Sequence, residues 1–152
     1  METVIHEIKR AIATLRLDQN AVRQLPPAES EATYRKALRQ FVSSGDRQWW
    51  WEAFDRPSTS AAFESGDGWR HIPQIAPNPD ELVWFIAEDS QLPHYPVFET
   101  SPRVASQIIG ECYGFEYYLV SKDYNWLVCE THHNMVFAVG DAVEARLAAT
   151  TA

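Results

Sequence analysis

A chain of 152 residues with 45% hydrophobic side chains is long enough to bury a core without disulfides or a structural metal, and no apolar run approaches the roughly 18 residues that span a bilayer. Thirteen basic residues against twenty-one acidic ones give a net charge of −8. That field repels nucleic-acid phosphates and anionic lipid surfaces, so nucleic acid and membrane are excluded as expected partners while a basic protein is favoured.

The opening "METVIHEIKRAIATLRL" scatters charge through its apolar residues and lacks the uninterrupted apolar centre of a secretory signal, which sets a cytoplasmic location as the expectation. Val4, Ile5, Ile8, Ile12 and Leu15 recur at spacings of three and four and predict an amphipathic helix. A second helix follows Pro26 and Pro27, with Tyr34, Leu38 and Phe41 on its apolar face, and "SSGD" stops it. The helical part is bounded at residues 2–43.

From residue 48 the period changes. Trp49, Trp50, Trp51 and Phe54 are strong strand formers, and Asp67-Gly68 reads as a turn that joins short strands. "APNPDE" is a loop by composition, and "LVWFI" (82–86) is a continuous apolar run that predicts a central strand covered on both faces. "YPVFE" reads as a short edge strand, because Pro96 has no amide hydrogen to give to a ladder. Ser101 as N-cap and Pro102 at the first helical position start one inserted helix. "FEYYLV", "WLVCET" and "MVFAV" then read as three hairpin-connected strands, which closes the sheet-rich part at 139 before a short helix over 141–149. Such an order does not alternate as parallel βαβ units do. It predicts a single α+β domain with a predominantly antiparallel sheet of about five to six strands.

"CETHHN" (129–134) sets a thiol, a carboxylate, a hydroxyl and two imidazoles side by side. Zinc needs three or four convergent ligands, and no second Cys or His pair exists to close a tetrahedron, so the stretch reads first as a hairpin turn with Asn134 in the left-handed conformation. The two cysteines, Cys112 and Cys129, read as reduced, buried hydrophobes. A five-residue loop between the flanking strands would place Glu116 opposite Glu130, whereas a four-residue loop would pair Glu116 with Thr131. The sequence does not choose between these registers. In either, Glu116, Glu130 and His132 are candidates for one cluster, set against the plainer reading of two glutamates on a solvent face.

Catalytic signatures are missing: there is no phosphate-binding glycine loop, no nucleophile elbow and no H-E-x-x-H. No cofactor is expected. "GECYGFEYY" and "CETHHN", within roughly residues 49–147, resemble a family of small, uncharacterised bacterial intracellular proteins of mixed α and β character. In size, acidity, tryptophan content and helix-then-sheet order the chain also resembles the immunity proteins of polymorphic-toxin systems, a likeness that implies a compact domain which binds and blocks a cognate toxin.

Two functions follow as expectations. One is a non-enzymatic binding domain of the immunity type, steering toward a basic toxin domain through Glu116, Glu130, Asp123 and Asp89, beside His132, with Trp50 or Tyr118 as a desolvated anchor. The alternative is a small metal-assisted hydrolase built on His94, Glu116, Glu130, His132 and His133.

Overall fold

The computed structural model describes residues 3–42, 50–89, 92 and 94–151. The order is α1 (Val4–Thr14), β1 (Val22–Gln24), α2 (Pro27–Phe41), a 3₁₀ turn (Trp50–Glu52), β2 (Thr59–Ala62), a second 3₁₀ turn (Gly68–His71) and α3 (Ile72–Ile75). Then come β3 (Val83–Ala87), β4 (Val97–Thr100), α4 (Pro102–Gly110), β5 (Tyr117–Val120), β6 (Leu127–Glu130), β7 (Met135–Val139) and α5 (Asp141–Thr150). Among the described residues no helix is long and apolar enough to cross a membrane.

Local chemistry sets the helix starts. Thr3 accepts the His6 amide with its hydroxyl at 3.2 Å and caps α1, and Ser101 does the same for the Val104 amide at 3.2 Å, with Pro102 at the first position of α4. The second of these is the cap the sequence predicts.

The strands form one seven-stranded sheet in the order β1-β4-β3-β5-β6-β7-β2, with every pairing antiparallel. This is the α+β antiparallel class expected, enlarged by β1 and β2. Each face is covered. On one, Ile8, Ile72, Ile75, Ile108 and Leu147 from α1, α3, α4 and α5 pack on Phe85, Tyr117, Leu119 and Val128. On the other, Tyr34, Leu38 and Phe41 of α2 and Trp50 pack on Ile86, Tyr118, Val120 and Cys129. Alternation along the strands divides the two cores, and β3, buried on both sides, is the central strand read from its apolar run.

Three local expectations are corrected. The tryptophan triplet does not make a strand: Trp50–Glu52 is a 3₁₀ turn, and Trp49 lies outside the described residues. Asp67-Gly68 does not join strands but opens the 3₁₀ turn that leads into α3. "YPVFE" is not an edge, because β1 pairs along β4 with Val22 opposite Thr100. Pro96 stands just before the ladder begins, and its carbonyl accepts the Ala87 amide at 3.2 Å. A proline there costs no ladder bond.

Candidate functional site

β5 and β6 pair with Tyr117 opposite Glu130. The next step outward faces Glu116 with Thr131, so the register is the second of the two left open by the sequence. The β6–β7 turn is tight: the Asn134 amide donates to the Thr131 carbonyl at 3.1 Å, the Thr131 amide to the Met135 carbonyl at 2.8 Å, and Asn134 takes φ 61°. "CETHHN" is thus a strand end followed by a hairpin turn, with the left-handed asparagine as read.

That turn brings a small set of groups together. Glu116, only 7% exposed, accepts at Oε2 from the His132 amide at 2.8 Å and from His132 Nδ1 at 2.5 Å. The Glu88 carboxyl lies beside it, since the Glu88 amide continues the β3–β5 ladder to the Glu116 carbonyl at 2.9 Å. Burial alone would push the Glu116 carboxyl up. The hydrogen bonds from its neighbours outweigh that and hold it below the usual carboxylate range.

Glu130 is equally buried at 8% exposure, and its Oε1 accepts from the Tyr117 hydroxyl at 2.9 Å. Its other oxygen sits where the Gly68 and Trp69 amides open the second 3₁₀ turn. Burial dominates here and raises the carboxyl above its ordinary value. Gly68 has a steric reason: a Cβ there would stand 2.9 Å from Glu130 Oε2 and 2.7 Å from Val136 Cγ2. Gly110 has another, because a Cβ would meet the Trp69 ring at 2.7 Å.

Both carboxylates line one cleft of about 500 Å³ at this end of the sheet, between the end of α4 and the β6–β7 turn. Its apolar lining includes Trp69, Tyr113 and Phe115, and no lysine or arginine is among the described residues that line it. Tyr113 stands 88% exposed, while its amide is fixed by Glu7 Oε1 of α1 at 2.8 Å. The volume falls in the range of ligand pockets.

The remaining expected residues are distributed elsewhere. Trp50 is fully buried and stacks on the equally buried Tyr118 at 4.2 Å between ring centroids, its amide donating to the Tyr118 hydroxyl at 3.2 Å. Neither is an anchor on a free surface, which corrects that expectation in favour of core packing. Asp89 is also buried. Asp123 lies in the β5–β6 loop at the far end of the sheet, where it accepts from the Asn125 amide at 3.2 Å. His94 neighbours Tyr34 and stands 4.0 Å from Glu31, away from the hairpin turn. His133 is exposed, 3.9 Å from the His132 ring and edge-on to Trp51. Among the described residues no three His, Cys, Asp or Glu side chains are grouped to hold a metal ion. The five residues of the hydrolase reading are therefore not all brought together, since His94 stands apart from the other four. Two glutamates on a solvent face is likewise corrected: both are buried.

Sequence reading missed Trp69 and Tyr113, which line the cleft, and Gly68 and Glu88, which stand beside its two carboxylates. The one signal pointing their way is "GDGW", where glycine precedes a tryptophan that must lie close to backbone.

A family model, described only as a family of unknown function, DUF6756, matches residues 2–151. The chain belongs to that family. No curated protein and no solved structure matches it. Membership extends over nearly the whole chain, so the cleft lies within the segment that defines the family.

Proposed function

We propose that this chain is a non-enzymatic binding protein, an inhibitor of the immunity type, whose cleft at the Glu116–Glu130 end of the sheet engages a basic protein partner such as a toxin domain. The observation that carries the reading is the cleft itself: about 500 Å³, bordered by two buried carboxylates and by aromatic rings, with no lysine or arginine among its described lining residues. A net charge of −8 adds long-range attraction for a basic surface. Tyr113, exposed on the lining, is the kind of amphipathic ring that carries binding energy at interfaces.

Acid–base chemistry would need a partner group to act on, and the His132 ring is engaged with Glu116 as part of the turn that closes β6 onto β7. That arrangement supports a positioning role within a binding wall.

The test is made on the complex itself. The chain is isolated at low salt with its bound protein, and the 1:1 affinity of the purified pair is measured as salt is raised, for the natural chain and for Tyr113→Ala. Affinity that falls with salt and drops about tenfold in the variant is expected. An affinity indifferent to both, or a chain that carries a small molecule and no protein, overturns the reading.

A further inference from the structure

We infer that the open edge of β2 docks an extended segment of the partner as an added antiparallel strand, with large apolar residues at the alternate positions that face the α2 side of the sheet. The inference rests on the protein-binding reading and names the form in which the partner engages.

β2 is an outermost strand, paired on one side only, to β7. The Phe63 amide donates to the Asn134 carbonyl at 2.8 Å, which fixes the phase of that ladder: Thr59 and Ala61 bond across to Ala138 and Val136, while Ser60 and Ala62 turn their N–H and C=O groups outward. Both residues are exposed, and those outward groups meet no partner among the described residues. The other outermost strand is guarded. On β1, where the Leu25 amide bonds the Val97 carbonyl, the outward residues are Val22 and Gln24. There the Val22 amide is spent on the Asp18 carbonyl at 3.1 Å, Arg23 carries charge, and Pro26 and Pro27 follow. β2 contains no charge, no proline and no bulge, the devices that keep an edge from pairing.

The side chains beside the edge select the strand that fits. Ser60 stands opposite Phe137 and Ala62 opposite Met135, so both lie on the α2 face, where Phe137 stacks on Trp51 with centroids 6.0 Å apart and meets Phe54 edge-on at 6.3 Å. The three rings are half-buried and the edge residues beside them are small, which leaves a shelf for larger side chains on an added strand. A second copy of β2 would set Ser60 against Ala62, small on small, and bring together two chains of net charge −8. A basic segment with apolar residues at alternate positions fills the shelf and is drawn by the opposite field. The edge also runs to the cleft, because Phe63 bonds Asn134 just past Ala62, and Asn134 and Gly66 line the cleft. One partner thus reaches both.

The experiment titrates the full chain with the blocked peptide acetyl-Lys-Phe-Lys-Val-Lys-Phe-Lys-amide and follows amide exchange by NMR. Its control is the same peptide N-methylated at phenylalanine and valine, the residues that face Ser60 and Ala62 across an antiparallel ladder. The peptide is expected to slow exchange of the Ser60 and Ala62 amides and to leave Gln24 unchanged, with the methylated form at least about tenfold weaker. Ala62→Pro removes an outward N–H and no ladder bond, so it should weaken the peptide about tenfold in a folded chain. If that variant fails to fold, the methylated peptide decides. Equal binding of the methylated peptide, protection centred on Gln24, or no protection at all would overturn the docking edge. So would protection of Ser60 and Ala62 that rises with chain concentration in the absence of peptide, which gives the edge to a second copy. Peptide protection at β2 in a chain that has no protein partner would keep the edge and overturn the binding-protein reading. A purified complex in which Ser60 and Ala62 exchange as fast as in the free chain would do the reverse.

Discussion

The Tyr117 hydroxyl donates to Glu130 Oε1 at 2.9 Å, between two buried residues that sit directly opposite each other on β5 and β6. This bond holds a carboxylate whose burial is otherwise unfavourable, and it ties the cleft wall to the core. Tyr117→Phe should therefore destabilise the fold by about 1–3 kcal/mol, the cost of leaving a buried charged acceptor short of a donor. Urea unfolding with an unchanged slope is the check.

The two cleft carboxylates respond to pH with opposite sign. Glu116 is held below its ordinary value of 4.5, so its contribution is present above that pH and is lost as pH falls further. Glu130 is raised above 4.5, so its contribution is fully present below that pH and is lost as pH rises through the folded value. Glu116→Gln should flatten the stability curve on the acid side of 4.5. Glu130→Gln should remove a decline on the other side. Thermal midpoints measured from pH 3 to 7 separate the two, and identical curves for both variants would contradict the assignment.

Gly140 and Gly114 share a φ of +110°, yet only Gly140 is crowded: a Cβ there would stand 2.6 Å from the Asn125 carbonyl oxygen, whereas nothing lies within 4 Å at Gly114. Gly114→Ala should cost about 1–3 kcal/mol in backbone strain. Gly140→Ala should exceed it by about a further 1–3 kcal/mol, because the neighbour is backbone and cannot swing away. Denaturant midpoints of the pair give the difference directly.

Asn134 occupies the left-handed region with φ 61° at the β6–β7 turn. Asn134→Gly should be close to neutral and Asn134→Val should cost more than about 1 kcal/mol, since a β-branched residue resists that conformation. Because His132 is set by the same turn, the valine variant should also disturb the His132 imidazole resonances.

Much of the fold was legible. Periodicity marked α1, capping chemistry marked α4, and the apolar run at 82–86 marked the central strand. β1 and β2 were not, because "VRQ" and "TSAA" are too short and too weakly apolar to stand out locally; they exist because β4 and β7 offer them edges. The tryptophan triplet misled for the converse reason. Its local preference is for strand, but Trp50 is held in a turn by Tyr118, Tyr34 and Tyr95 across the core. At the site, Glu116, Glu130 and His132 could be named as neighbours from hairpin logic, while their burial and the walls contributed by Trp69 and Tyr113 depend on how the sheet end meets α4.

The measurement that bears most directly on the central claim is site-specific photo-crosslinking in the producing cell, from position 113 on the cleft and from position 123 at the opposite end of the sheet. The account predicts one discrete protein adduct from position 113, carrying a basic partner, and none from position 123. An adduct from position 123 alone would place the interface elsewhere and contradict it.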